Sequence, residues 1–292
     1  GCMSLFALFV FMSPLAASET YVIKAGKIYT ASNGVIEDGW ILVENGKISQ
    51  VGKKISIPAG TKELTADIVI PGLVDMHSHV GVYTLPMVPE NMDGNEATNP
   101  LTPEVRALDS FNFGDPELRA GLAGGVTTIV SRPGSANVIG GTSLALKLKN
   151  ASPEEMIIKE PCDLKMTIEY NPILFHTAQN RIPSSLMTVY HMARKSFVDA
   201  QIYMRKWENY ERKIKAGEEV SPPPRDLGKD HLVKALKREI PVHVHVCTAS
   251  EIMTAIRLAD EFNLELSLAH VPCAYLIADE LAGRKDVHFN VG

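Results

Sequence analysis

The stretch PGLVDMHSHVG, Pro71 to Gly81, ends a short apolar run with His77 and His79 two residues apart. On a β-strand side chains alternate with period two, so residues i and i+2 share a face roughly 7 Å apart, close enough to bind one ion. A second cluster lies far along the chain, where IPVHVHVCTA carries His243 and His245 and ELSLAH ends at His270. Between these two segments Ile252, Ala255, Ile256, Leu258 and Phe262 recur at helical spacing. Strand, helix, strand in that order gives parallel strands joined by a right-handed crossover. In a (β/α) barrel the C-terminal strand ends converge on one mouth, where active sites sit. The expected fold is α/β, a barrel with His77, His79, His245 and His270 at its mouth.

Working outward, YVIKAGKIYTASNGVIEDGWILVENGKISQVGKKI alternates apolar and polar residues between the turn signals Asn33-Gly34, Asp38-Gly39 and Asn45-Gly46. This pattern predicts a β-meander in a small β domain over residues 19–70, with the barrel over residues 71–292. Before it, the apolar run Met3 to Leu15 and the small residues Ala16, Ala17 and Ser18 resemble a signal-peptide core and cleavage site. Residues 1–18 are expected to be a leader cleaved near Ser18, giving an exported, periplasmic or secreted protein without a membrane anchor. An uncleaved anchor is the competing reading, though the run is short for a bilayer.

Downstream, Val82 to Phe113 reads as a long functional loop at the barrel mouth. GVTTIVSRPGSANVIGG, Gly125 to Gly141, reads as a strand ending near Ser131 and then a glycine-rich turn. Its spacing matches no phosphate-binding fingerprint, which excludes a nucleotide site there. Leu144 to Lys149 and Met156 to Lys159 are weak strand candidates, and Leu164 to Glu169 is a further strand. A long helix is expected over Ser184 to Gly217, N-capped by Ser184 or Ser185 and followed by the breaker SPPPRD at Ser221 to Asp226. Gly228 to Glu239 reads as another helix, and VHFNVG as a seventh barrel strand.

With 292 residues, 45% of them hydrophobic, the chain can bury a large core and is not a disordered segment. A net charge of −5 excludes a nucleic-acid surface as the main function, and the basic residues between Arg194 and Lys215 are interleaved with acids on a solvated helix face. Cys2, Cys162, Cys247 and Cys273 lack the paired spacing of a structural zinc knuckle, so buried thiols are the default. Cys247 and Cys273 follow histidine-bearing strand ends and could line the pocket, with no ligand role assigned.

Taken together, PGLVDMHSHVG, GVTTIVSRPGSANVIGG and PVHVHVCTASEIMTAIRLADEFNLELSLAH resemble the amidohydrolase superfamily, in the branch of imidazolonepropionase-like metal-dependent hydrolases. The resemblance spans roughly Tyr21 to Gly292. It implies a distorted (β/α)8 TIM barrel, a small N-terminal β-sandwich domain and one or two divalent metals, Zn²⁺ first. By position His77 and His79 resemble first-strand ligands, His245 the fifth-strand ligand and His270 the sixth-strand ligand. His243 matches no ligand position and is expected one layer deeper, in the core or supporting a ligand. His176, His191, His231 and His288 are expected on loops, helices or the surface.

The fourth strand of the family supplies a bridging group, a carboxylated lysine or a glutamate, and here Lys165 or Glu169 is available. Related sequences place a glutamate where this chain has Tyr170, and on strict alternation Glu169 faces away unless the strand end bulges. The eighth-strand aspartate that serves as ligand and general base has no counterpart up to Gly292. The resemblance therefore implies a C-terminally truncated fragment, its barrel incomplete and its last strand and catalytic aspartate beyond Gly292.

Imidazole and carboxylate ligands suit Zn²⁺, with Mn²⁺ or Fe²⁺ as other candidates, and a bound water falls from a pKa of about 15.7 to about 7. The resulting hydroxide implies hydrolysis of a non-peptide carbon–nitrogen bond, in a cyclic amide or amidine, or deamination. Arg132 and Asn137 are the first candidates for substrate contact. The partner is a small molecule, with a homo-oligomer also weighed. The alternatives are a metallodipeptidase of the same superfamily and a non-catalytic barrel or inactive fragment.

Overall fold

The computed structural model describes residues 20–291; the leader-like run from Met3, its cleavage near Ser18 and Cys2 all lie outside the described residues. The chain divides into two units between Gly72 and Leu73.

In the first unit β1 (Tyr21–Tyr29), β2 (Val35–Glu44), β3 (Lys47–Gly52) and β4 (Lys62–Val69) form one sheet in the order β3-β2-β1-β4. The hairpin from β2 to β3 turns through Asn45 and Gly46, both with positive φ, as a tight two-residue turn requires. The meander stops at β3, because β4 returns to the other side of β1 and pairs with it in parallel. Asp38-Gly39 is not a turn. It lies inside β2, with Asp38 at φ 51, where it interrupts the pairing with β1 between Glu37 and Gly39. Ala25, Ile28, Ile41 and Val43 form the apolar cluster of this sheet. The expected two-layer sandwich is a single four-stranded sheet among the described residues.

The second unit is mixed α/β. Its strands are β5 (Leu73–Ser78), β6 (Val126–Ser131), β7 (Ile139–Thr142), β8 (Leu144–Lys147), β9 (Ile157–Lys159), β10 (Leu164–Thr167), β11 (Val242–Val246), β12 (Leu266–His270) and β13 (Val287–Asn290). They lie in two sheets, β5-β6-β8-β9 and β13-β12-β11-β10-β7, rather than in one closed ring among the described residues. The strands β10 to β13 are parallel neighbours, as the strand–helix–strand reading requires. The interruption comes from β7 and β8. Both run antiparallel to their neighbours, β7 to β10 and β8 to β6, and the chain passes from one sheet to the other at Ser143.

The strand β7 replaces the turn expected at Gly140-Gly141. Its glycine content has a packing cause, because a Cβ on Gly141 would stand 2.3 Å from the carbonyl oxygen of Val105. The segment after the first histidine pair folds down against β7, with bridges from Leu101 to Ile139 and from Arg106 to Thr142.

Helices cover one side of the parallel strands. The Leu186–Lys215 helix is N-capped by Ser185, whose side chain accepts from the Thr188 N–H, and the Leu227–Leu236 helix is capped by Asp226. The Ala249–Phe262 helix starts from a capping box between Thr248 and Glu251 and buries Ile252, Ala255, Ile256, Leu258 and Phe262. These side chains join Leu164, Met166, Val242, Val244, Val246, Leu266 and Leu268 in the main core. That core fixes the ends of β10, β11 and β12, and His245 and His270 stand at the ends of β11 and β12. No helix among the described residues is long and apolar enough to cross a membrane.

Candidate metal centre

His77 belongs to β5, His79 follows its last residue, His245 lies near the end of β11 and His270 ends β12. Their rings form a connected group. Centroids are 5.2 Å apart for His77 and His79, 4.7 Å for His77 and His270, and 4.5 Å for His245 and His270. The strand-end backbones are irregular where they aim these rings. The β5/β6 register slips between Asp75 and Ser78, and His270 and Val271 adopt φ 70 and 41, a left-handed conformation that strains a non-glycine residue.

Three of the four rings, His77, His79 and His245, are oriented through Nδ1. His79 Nδ1 lies 2.8 Å from the carbonyl oxygen of Arg132, which can only accept, so Nδ1 carries the proton and Nε2 keeps its lone pair. His77 Nδ1 lies 2.8 Å from His243 Nε2, and His243 Nδ1 lies 3.0 Å from Ser267 Oγ. His245 Nδ1 pairs with Ser135 Oγ at 2.9 Å. This arrangement frees the Nε2 atoms, the outward nitrogens, for another partner.

Electrostatics favours neutral rings. Burial, and after it the Lys165 charge, depresses His245 to about 3. Burial likewise depresses His79 to about 4, against the opposing hydrogen bond to the Arg132 carbonyl. His77 and His270 are lowered by burial and by Lys165, and His243 by burial and by Arg132. A set of uncharged imidazoles with free lone pairs is the form in which histidine binds a metal.

His77 Nε2 and Lys165 Nζ are among the buried atoms here that have no hydrogen-bond partner. A nitrogen left unpaired in a closed site costs about 1–3 kcal/mol. A divalent ion at the Nε2 atoms would satisfy the His77 ring, so the residues present fit a metal. Lys165 is in register with His243, one layer below His245, and burial with the nearby Arg132 guanidinium lowers its amine to about 7.

Glu169 approaches the group as well. Its Oε1 lies 3.8 Å from His245 Nε2 and accepts from the Asn171 N–H at 2.9 Å. Strict alternation misleads here because β10 ends at Thr167, so Glu169 sits past the strand and is free of its pleat. Burial pushes the Glu169 carboxyl up, against the Asn171 and Tyr170 N–H groups. Cys247, two residues beyond His245, has its Sγ 3.8 Å from His245 Nε2. Burial, then Glu169 and Glu251, raise its thiol.

Arg132 and Asn137 are not substrate contacts. Arg132 is 1% exposed, ion-paired with Asp163 at 2.6 Å and bonded to the Met76 carbonyl oxygen. Asn137 is equally buried, and its Nδ2 donates to the carbonyls of Glu96 and Asn99, tying down the loop after the first histidine pair. Both read as polar and reachable in sequence because their partners are distant in the chain. His176 lies on the Asn171–Thr177 helix, one of its expected places, and is fully buried there. Ser135 and Ser267 are the site residues that sequence reasoning left out, and Cys247, expected only to line the pocket, stands against His245.

A cavity of about 610 Å³ adjoins the centre, lined by Asn95, Ser135, Asn171, Leu174, Phe175 and Gln179 among others. Ser135 touches His245 and Asn171 touches Glu169, so its wall is continuous with the ligand group.

No family model matches the chain. A solved amidohydrolase structure from Thermotoga maritima is 35% identical and superposes with a TM-score of 0.85, covering 93% of this chain and 70% of that one. The amidohydrolase tasK of Hapsidospora irregularis is 29% identical over 267 residues, 83% of this chain and 27% of tasK. A dihydroorotase of Geobacter metallireducens is 43% identical over 61 residues, 20% of this chain and 14% of the enzyme. The chain thus spans about a quarter of the length of tasK and less of the dihydroorotase.

Proposed function

Because the chain belongs to the amidohydrolase superfamily, we propose that it hydrolyses a non-peptide carbon–nitrogen bond, in a cyclic amide or amidine, with a divalent metal held by His77, His79, His245 and His270. The observation that carries this reading is the unbroken run of ring contacts from His79 through His77 and His270 to His245, with His77 Nε2 buried and unpartnered. In this reading the two sheets of the second unit are the wall of a distorted (β/α) barrel. Zn²⁺ suits the donor set, as one ion or two, and Glu169 is the carboxylate placed to join it. The similarity to a dihydroorotase favours a ring amide as the bond that is opened.

The metal, when bound, supplies a hydroxide at neutral pH and polarises the scissile carbonyl. The chain's own residues do the rest of the work described. Arg132, through its carbonyl, and His243 hold the His79 and His77 rings in the tautomer that presents Nε2. Ser135 orients His245 from the wall of the 610 Å³ cavity, and that cavity is the place for the substrate ring. Asn95, Asn171 and Gln179 present amide groups on the cavity wall, and Leu174 and Phe175 give it an apolar side. Export is part of this proposal and rests on the Met3 to Leu15 run alone; the N-terminus of the mature protein, sequenced from culture, checks it.

The test is metal analysis of the purified protein followed by a screen of five- and six-membered cyclic amides and amidines. Ring opening that a chelator abolishes and Zn²⁺ restores is the expected outcome. A protein that retains no divalent metal, or hydrolysis indifferent to chelation, overturns the reading.

A further inference from the structure

The group around His245 differs from the one around His77 in one respect. Glu169, His245 and Cys247 each offer a ligand atom, and the three atoms lie within 4.8 Å of one another. Sγ of Cys247 and Oε1 of Glu169 are each 3.8 Å from His245 Nε2. Around a tetrahedral zinc, with Zn–S about 2.3 Å and Zn–N about 2.0–2.1 Å, neighbouring ligand atoms stand roughly 3.3–3.6 Å apart. The two separations from His245 Nε2 exceed this by a few tenths of an ångström, and the sulfur and the carboxylate oxygen lie within 4.8 Å of each other.

Hydrogen bonds hold all three in place before any ion arrives. The Cys247 N–H donates to Glu251 Oε2, the residue that closes the capping box of the Ala249–Phe262 helix, and the Cys247 carbonyl accepts from the Cys273 N–H. His245 is held through Nδ1 by Ser135, which turns Nε2 toward the sulfur, and Glu169 is held by the Asn171 N–H. A cysteine that only filled core would face apolar neighbours. Cys247 instead stands half-buried at the strand mouth against an imidazole nitrogen and a carboxylate.

We propose that Glu169, His245 and Cys247 form a sulfur-containing subsite in which Cys247 Sγ ligates a divalent, thiophilic metal directly. Coordination replaces the S–H bond by an S–metal bond and releases the proton to solvent. The subsite takes Zn²⁺, Co²⁺ or Cd²⁺ in preference to Mg²⁺ or Mn²⁺, because a thiolate is the soft member of the donor set. This deepens the metal-dependent reading above and rests on it.

Cobalt(II) added to the metal-free protein tests it, because a thiolate on Co²⁺ gives a near-ultraviolet charge-transfer absorption that nitrogen and oxygen ligands do not. The wild type is expected to show the band, Cys247→Ser to lose it with at least a tenfold weaker hold on Co²⁺, and Cys273→Ser to keep it. Independently of any variant, Zn²⁺ is expected to slow alkylation of Cys247 by iodoacetamide at least tenfold, read by peptide mass. Cobalt bound without the band, a band that survives Cys247→Ser, or alkylation indifferent to Zn²⁺ overturns the subsite and leaves the histidine site standing. A protein that binds no cobalt at all brings down both.

Discussion

His77 and His79 on one side and His243 and His245 on the other share one spelling, two histidines separated by a single residue, and they meet opposite fates. At the end of β5 both rings reach the centre, 5.2 Å apart. On β11 only His245 does, while His243 is 2% exposed beneath it, bonded to His77 on one side and to Ser267 on the other. The difference is where each strand stops. The strand β5 ends at Ser78, so His79 is already past it and His77 is one residue from its end. The strand β11 runs to Val246, which keeps His243 a full pleat repeat below the mouth. Equal spacing places two side chains on one face, but depth along the strand decides which of them binds and which supports.

The strongest way to break this comparison is to remove one member of each pair. His245→Asn takes away a proposed ligand, and metal affinity is expected to fall by more than the about 10–100-fold typical of an outer supporting residue. His243→Gln is expected to stay inside that range, because glutamine can still accept from His77 Nδ1. His243→Phe, which cannot, is expected near its upper end. Competition with a chromophoric chelator measures all three. If His243→Gln costs as much as His245→Asn, the two β11 histidines act alike and the contrast is lost.

Beneath the β5 pair lies a buried ion pair, Arg132 with Asp163, with side chains 2% and 6% exposed. Arg132→Met leaves Asp163 without its cation and is expected to cost about 3–5 kcal/mol of stability by urea unfolding. The other carboxylate oxygen of Asp163, Oδ1, is buried without a hydrogen-bond partner among the described residues. Replacing both partners by apolar residues of similar volume is expected to recover most of that loss. Should Arg132→Met unfold at the wild-type midpoint, the pair does not support the floor of the site. On the β11 side Ser267→Ala removes only the outer end of the Ser267–His243–His77 chain. A few-fold drop in metal affinity with an unchanged unfolding midpoint is expected there.

The same contrast governs what the sequence could reveal. The run from His243 to His270 was readable because it obeys simple periods: β11 and β12 alternate, the Ala249–Phe262 helix repeats at helical spacing, and parallel pairing joins them in order. The run from Ser131 to Asp163 was readable only in part: the strand candidates at Leu144 and Met156 are β8 and β9, but β7 is built around glycines that composition assigns to a turn, and β7 and β8 pair against the direction of their neighbours. Arg132 illustrates the remaining blind spot. Its type and its glycine-rich surroundings point to solvent, while its burial depends on Asp163, which only the folded sheets bring to it. Glu169 and Cys247 reach the centre from positions past the ends of their strands, where alternation has no authority.

Acid offers the mildest probe, because it acts on both pairs at once without changing a residue. In the folded, metal-free chain burial holds His79 at about 4 and His245 at about 3, whereas an unfolded imidazole titrates near about 6.5. Between those values the unfolded chain binds more protons than the folded one. Stability therefore rises with pH through that window and levels off above about 6.5; equivalently, it is lost as the pH falls toward 4. Urea midpoints at pH 7, 6, 5 and 4.5 measure it, and carboxylates that also titrate at the acid end are separated by a variant. His79→Gln removes one depressed imidazole from the mouth, so its midpoint is expected to fall less between pH 6.5 and 5 than that of the wild type. A variant as pH-sensitive as the parent in that interval would place the acid response elsewhere in the fold. A wild-type midpoint that stays level between pH 6.5 and 4.5 would mean that the four rings are not held neutral, and a metal would then have to displace protons as well as water to reach them.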